Sequence, residues 1–207
     1  YTSTAAALEE QYGEKLPAYL FQHIIVPEIY DLLTEVPASE KKAEGVVEGY
    51  SSHSGHYYKM GDGFTAGHLG EPPCPPDIPS GEFAAMRDTG DVVAAFFGHD
   101  HKNDFAGTYE GVDLVNTTST GFYIYGEREY HGARLVILHE DAPAEYDTEM
   151  LYYKDLVSEP LPGGLASIHG KYVENIVIAA VAGLLILVGA GVLVGVRIAK
   201  RKKRSQK

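Results

Sequence analysis

The chain reads as an α/β domain followed by one transmembrane helix, and three observations carry that reading. A helix-like stretch from Gly81 to Thr89 runs into an apolar strand-like segment, Val92-Val93-Ala94-Ala95-Phe96-Phe97, that stops at Gly98. Strand after strand then follows, separated by turn residues. From Ile176 to Val196 there are 21 residues without a charge, rich in Val, Leu, Ile, Ala and Gly. As a helix they extend roughly 30 Å, the thickness of a bilayer's hydrocarbon core, and a buried core helix is rarely so long and apolar on every face.

In chain order, Thr4 to Gln11 is Ala-rich and predicts a short helix ending near Gly13. Leu16 to Gln22 has strand character, and Pro27 to Leu33 a brief helix after a turn at His23. Residues 36 to 80 carry Gly, Ser, His and Pro with little periodicity, which predicts a long loop. Ser80 is a good N-cap for the helix Gly81 to Thr89, with Gly90 as its left-handed stop. After the strand Val92 to Phe97, strands are expected at Phe105 to Tyr109, Val112 to Asn116, Gly121 to Tyr125, Arg134 to His139 and Met150 to Tyr153, with a hairpin turn at Glu110-Gly111. Glu159-Pro160-Leu161-Pro162-Gly163-Gly164 reads as linker.

Charge divides the chain. Residues 1 to 172 hold 10 Lys and Arg against 28 Asp and Glu, whereas residues 173 to 207 hold 7 against 1. The acidic part argues against nucleic acid or anionic lipid as its partner. Arg197, Lys200, Arg201, Lys202, Lys203, Arg204 and Lys207 follow the apolar segment, which by the positive-inside rule puts the C-terminus in the cytoplasm and the domain outside or in a lumen. The basic tail needs no function beyond stopping transfer, although it suits an anionic inner leaflet. Tyr172 falls where an interfacial aromatic is favourable, and Gly191 and Gly195 form a GxxxG spacing that would let two spans pack as a weak homodimer.

The chemistry-bearing stretch is Gly98-His99-Asp100-His101. In an extended chain two histidines at i and i+2 share a face, so both can approach one metal or a close pair, with glycine letting backbone pack close beneath them. A polar turn after a buried strand is the plainer alternative. The strand's carboxyl end is the edge at which open α/β sheets bind ligands.

The string Gly90-Asp91-Val92-Val93-Ala94-Ala95-Phe96-Phe97-Gly98-His99-Asp100-His101-Lys102-Asn103-Asp104-Phe105 resembles the last signature block, Gly-His-x-His, of calcineurin-like metallophosphoesterases, closest to the purple-acid-phosphatase-like branch. Leu16-Pro17-Ala18-Tyr19-Leu20-Phe21-Gln22-His23 with Pro27-Glu28 is similar to that family's preceding block, a strand ending in a lone metal-binding histidine. Pro72-Pro73-Cys74-Pro75-Pro76, Ser80-Gly81-Glu82-Phe83, Gly121-Phe122-Tyr123-Ile124-Tyr125-Gly126 and Gly132-Ala133-Arg134-Leu135-Val136-Ile137-Leu138 extend the likeness over about residues 1 to 140. The family's Asp-x-His, Gly-Asp-x-x-Asp and Gly-Asn-His blocks, which lie N-terminal to the lone histidine, do not occur here. The resemblance therefore implies the C-terminal half of an α/β/β/α sandwich, a fragment without catalysis of its own.

On that resemblance residues 1–156 are the phosphoesterase part, 157–172 a linker, 173–197 the transmembrane helix and 198–207 a basic cytoplasmic tail. The implied activity of the full-length parent is hydrolysis of phosphate esters, on a small molecule or a surface, by a hydroxide held at two divalent or trivalent ions, Fe, Mn or Zn. His23 and His99 would ligate one metal and His101 the other, with Asp100 pointing away as a supporting or turn-forming residue and Asn103 and Asp104 capping the next turn. Two other classes stay open: a non-catalytic membrane-anchored surface module on the same fold, and a plain zinc-binding ectodomain using the three histidines. His53, His56 and His68 read as ordinary loop histidines, or at most as substrate contacts, and Thr117 to Thr120 as hydroxyls that could stand beside a phosphate. Asn116-Thr117-Thr118 reads as an accidental glycosylation sequon, and Cys74, the single cysteine, has no internal partner.

Overall fold

The computed structural model describes residues 1–121, 124–159 and 170–204. The chain divides into two compact units, Tyr1–Gly163 and Gly164–Lys207.

In the first unit helix α1 (Thr2–Tyr12) ends at Gly13, whose φ of 78° is the left-handed conformation that glycine adopts without steric penalty. Strand β1 (Ala18–Gln22) follows, then a 3-10 turn over Pro27–Leu32 that buries Ile29, Tyr30 and Leu32. Residues 36 to 80, expected as a loop, contain structure of their own. β2 (Leu33–Val36), β3 (Val47–Glu48) and β4 (Tyr57–Met60) form a small antiparallel sheet in the order β2-β4-β3, and β5 (Phe64–Ala66) joins the main sheet. These strands are two to four residues long, too short for an alternating pattern to show.

Helix α2 (Glu82–Thr89) begins one residue later than expected: left-handed Gly81 occupies the cap position, and the Ser80 hydroxyl accepts the Glu82 amide at 3.2 Å. Gly90 stops the helix in the left-handed conformation, as expected. β6 (Val92–Phe97), β7 (Ala106–Tyr109) and β8 (Val112–Asn116) then form, with Glu110 and Gly111 turning the β7–β8 hairpin at φ 43° and 85°. The five-stranded sheet runs β1-β6-β8-β7-β5, with β1, β6 and β8 mutually parallel.

The expected strand from Gly121 to Tyr125 does not form among the described residues Gly121, Ile124 and Tyr125; its centre, residues 122 and 123, lies outside them. A 3-10 turn over Arg128–Tyr130 leads instead into β9 (Gly132–Leu138), which pairs with the long antiparallel β10 (Tyr146–Tyr152) before a single helical turn, α3 (Tyr153–Leu156).

The two faces of the main sheet pack differently. Ala95, Phe97 and Leu114 join Ile25, Ile29, Leu32, Phe83, Met86 and Phe105 in the larger core under α2 and the 3-10 turn. Ala94, Phe96 and Val115 meet Val136 and Tyr146 of the β9–β10 hairpin. The layering is therefore helix, sheet, hairpin: a mixed α/β architecture with two β layers. The hairpin's other side leaves Leu135 and Ile137 exposed.

The second unit contains helix α4 (Gly170–Arg204). Its stretch Ile176–Ile198, 23 residues at mean hydropathy 2.9, is long and apolar enough to cross a membrane. Linker residues 160–169, the side chain of Tyr172 and tail residues 205–207 lie outside the described set.

Candidate metal centre

Parallel pairing of β1 with β6 is what brings the histidines together. Gln22 stands opposite Phe97, so both strands end at the same level, and the Gly98 amide donates to the His23 carbonyl at 3.3 Å. His23 and His99 therefore emerge side by side. Nδ1 of His99 lies 3.2 Å from Nε2 of His23, with the rings edge to face at 5.0 Å between centroids. Burial, together with His23 and His101 nearby, pushes the His99 pKa below its ordinary value and favours the neutral imidazole that ligates metals. A Cβ at Gly98 would meet nothing within 4 Å, so the strand end opens onto free space rather than onto closely packed backbone.

His101 is held from three sides. Its carbonyl accepts the Thr118 hydroxyl at 2.6 Å and the Ser119 amide at 3.1 Å, which the parallel strand β8 delivers to the same edge. Its ring stands 4.1 Å from the Tyr125 ring, and its Nδ1 is 3.1 Å from the Tyr125 carbonyl. A carbonyl only accepts, so Nδ1 is the donor in this contact.

Between the two histidines Asp100 points inward, 3% exposed, accepting the Cys74 amide at 3.2 Å and the Asn103 side-chain amide at 2.9 Å. Burial pushes its carboxyl up to about 7 despite those bonds. Asn103 and Asp104 are not local turn caps. The Asn103 side-chain oxygen accepts the amides of Gly70 and Glu71 at 3.0 and 3.1 Å, and Asp104 accepts the His68 amide at 2.5 Å and the Tyr152 hydroxyl at 2.6 Å. Together they bind the strap 67–74 and strand β10 to the segment that carries the histidines. Gly67, at φ 103°, makes the approach possible: a Cβ there would sit 2.4 Å from the Asp104 carbonyl oxygen.

The other histidines have separate surroundings. His53 stacks on Tyr30 at 3.7 Å and hydrogen-bonds the Tyr58 hydroxyl, His56 pairs with Glu35 at 2.8 Å, and His68 stacks on Tyr130 with its Nε2 3.4 Å from Glu127. Asn116 is 1% exposed, so folded protein hides the sequon's amide. Cys74 is a free, half-buried thiol whose pKa burial raises, which keeps it protonated.

Sequence reasoning missed Glu71 and Tyr125. Glu71 accepts the Lys102 amide at 2.9 Å, and burial followed by the Glu71 and Asp100 charges raises the pKa of the Tyr125 phenol. The only local hint is that Glu71 precedes the stiff Pro72-Pro73-Cys74-Pro75-Pro76 segment.

His131, 3% exposed, has a buried Nδ1 without a hydrogen-bond partner, and burial lowers its pKa. Because the folded state resists protonation, this group's stabilising contribution is present above the unfolded value of about 6.5 and is lost as pH falls below it. The melting temperature of the protein should therefore drop between about pH 7 and pH 5, and drop less in His131→Gln. Equal slopes in thermal melts of the two proteins would remove His131 from the account.

The donor set decides what the site fits. With metal–nitrogen bonds of about 2.0–2.1 Å at near-tetrahedral angles, neighbouring ligand nitrogens lie about 3.3 Å apart, close to the observed His23–His99 separation. No group of three or more His, Cys, Asp and Glu side chains converges on a metal position among the described residues. The described residues thus show one pair of adjacent imidazoles with no third ligand converging on it.

Comparison with known proteins agrees over a limited stretch. A segment of 57 residues, 28% of this chain, is 39% identical to a protein of Arabidopsis thaliana named "Probable inactive purple acid phosphatase 14" and covers 14% of it. Segments of 60 residues are 40% and 38% identical to the Arabidopsis thaliana proteins named "Probable inactive purple acid phosphatase 28" and "Probable inactive purple acid phosphatase 29", covering 15% of each. The similarity thus spans about one-seventh of the length of these relatives. No protein-family model and no solved structure matches the chain. Over somewhat more than a quarter of its length the chain is similar to purple-acid-phosphatase-like proteins.

Proposed function

We propose that this chain supplies the imidazole ligands of a membrane-anchored, purple-acid-phosphatase-like phosphoesterase that hydrolyses phosphate esters. The observation that carries this reading is the His23–His99 pair, 3.2 Å apart at the shared carboxyl edge of two parallel strands. Two bound ions, Fe, Mn or Zn, would polarise the phosphoryl oxygens and activate a water. His23 and His99 would be adjacent donors to one ion, and His101, its Nδ1 proton engaged by the Tyr125 carbonyl, would offer Nε2 to the other. Asp100 serves from below by fixing the turn that separates the two histidines. Carboxylates that these residues do not supply would complete the set.

The excess of acidic side chains before the apolar helix disfavours nucleic acid and leaves a small or surface-borne phosphate ester as substrate. The basic residues after that helix support a cytoplasmic C-terminus with the domain outside or in a lumen, and Gly191 with Gly195 supports at most a weak pairing of spans.

The names of the matched relatives favour a second reading, a non-catalytic surface module on the same fold. Metal analysis and aryl-phosphate hydrolysis by the full-length ectodomain that contains this chain, its His99→Ala variant and its His101→Ala variant separate the two. Bound metal with turnover that both variants lose supports the enzyme. Metal without turnover supports the module, and turnover unchanged in both variants removes these histidines from the reaction.

A further inference from the structure

The β9–β10 hairpin grips the chain on both sides of His101. Arg134 of β9 donates from Nη2 to the Asp104 carbonyl at 2.7 Å and to the Asn116 carbonyl at 2.9 Å, and from Nε to the same Asn116 carbonyl at 3.1 Å. Its Nη1 reaches the Thr148 hydroxyl of β10 at 3.3 Å, which orients the guanidinium plane from the hairpin side. Tyr152 of β10 donates to the Asp104 carboxylate at 2.6 Å, and the Gly132 amide at the start of β9 donates to the Ser119 carbonyl at 3.2 Å. These acceptors bracket His101. Asp104, 1% exposed, closes the segment that carries His99 and His101. Asn116, also 1% exposed, ends β8 and leads into Thr118 and Ser119, which donate to the His101 carbonyl.

We propose that Arg134 is a positioning residue for His101: by bridging the Asp104 and Asn116 carbonyls it sets where the His101 imidazole stands relative to the His23–His99 pair. Its consequence for metal affinity rests on the metal-centre reading above, whereas the bridge itself exists without metal. A guanidinium presents its donors in a fixed plane and so holds two carbonyls at a set separation; an ammonium of the same charge is a point donor on a flexible stem. Burial sharpens the argument. Desolvation lowers the Arg134 pKa, so the charge is held there at a cost that the Asp104 carboxylate offsets. A hairpin that only covered the sheet would be served as well by an apolar side chain, which carries no such cost.

The test compares the wild type, Arg134→Lys, His101→Ala and the double variant in the full-length ectodomain that contains this chain. Without metal, amide hydrogen exchange at Ser119, whose amide donates to His101, should be about tenfold faster in Arg134→Lys, while exchange at Ala95 in the core keeps its wild-type rate. Arg134→Lys should also lower zinc affinity about tenfold, and lower it no further in a protein that already lacks His101, because Arg134 acts through that residue. Equal losses with and without His101 would make Arg134 a general support and overturn the proposal, as would unchanged zinc affinity or unchanged Ser119 exchange. If the wild type binds no zinc, faster Ser119 exchange in Arg134→Lys upholds the bridge and the phosphoesterase reading alone fails. Where Arg134→Lys does not fold, Tyr152→Phe, which removes only the hydroxyl on the Asp104 carboxylate, carries the same comparison.

Discussion

Asn103→Ala should destabilise the domain by about 3 kcal/mol, because it strands one buried and two part-buried groups at once. The side chain is 0% exposed; its oxygen satisfies the amides of Gly70 and Glu71, and its nitrogen satisfies Asp100. Each buried polar group left without a partner costs about 1–3 kcal/mol, and a small cavity that admits water would recover part of it. Asn103→Asp makes the cause legible. It keeps the acceptor for the two amides but sets a second carboxyl against Asp100, so its loss should be largest at neutral pH and shrink in acid, where one of the pair is protonated. Denaturant unfolding at pH 5 and pH 8 checks both statements. A cost below about 1 kcal/mol for Asn103→Ala would show that the strap 67–74 is held by something other than this residue.

The contrast between Asn103 and His99 shows which parts of this molecule its sequence could tell. His99 was readable because its chemistry depends on neighbours in the chain: an apolar run, a stop and an alternation that a strand turns into position. His23 was singled out by the resemblance to a phosphoesterase block, and the parallel pairing of β1 with β6 is what brings it beside His99. Glu110-Gly111 was readable because a glycine-containing pair between two apolar runs marks a hairpin turn, and the structure places both residues at positive φ. Asn103 was not. Its partners lie about thirty residues away, they are backbone amides with no side-chain signature, and an Asn after a strand looks the same whether it caps the next turn or anchors a distant strap. Glu71 and Tyr125 were hidden for that reason too, and the short strands β2 to β5 because two to four residues cannot display a period. The strand ends that bear histidines followed from local pattern; the scaffold that aims them depends on long-range hydrogen bonds between unlike partners.

That division leads to the second large effect, in the histidine pair. His23→Ala and His99→Ala should each lower zinc affinity by at least about tenfold, and the double variant should lose less than the sum of the two single losses. Two imidazoles 3.2 Å apart can bind one cation together, so removing either abolishes the chelate, and removing the second takes away a ligand that already acts alone. If each histidine instead met solvent cations independently, the two losses would add. Zinc titrations by calorimetry on the four proteins of the cycle measure this coupling directly. Additive losses would mean that the 3.2 Å contact is a hydrogen bond between neutral rings and nothing more; a coupling of about 1 kcal/mol or above requires one ion to be shared. The same cycle with His101 in place of His23 asks a separate question. If His101 serves a second ion, as the proposed centre requires, its coupling to His99 through zinc at one equivalent should be weaker than that of His23, even though it stands only two residues away.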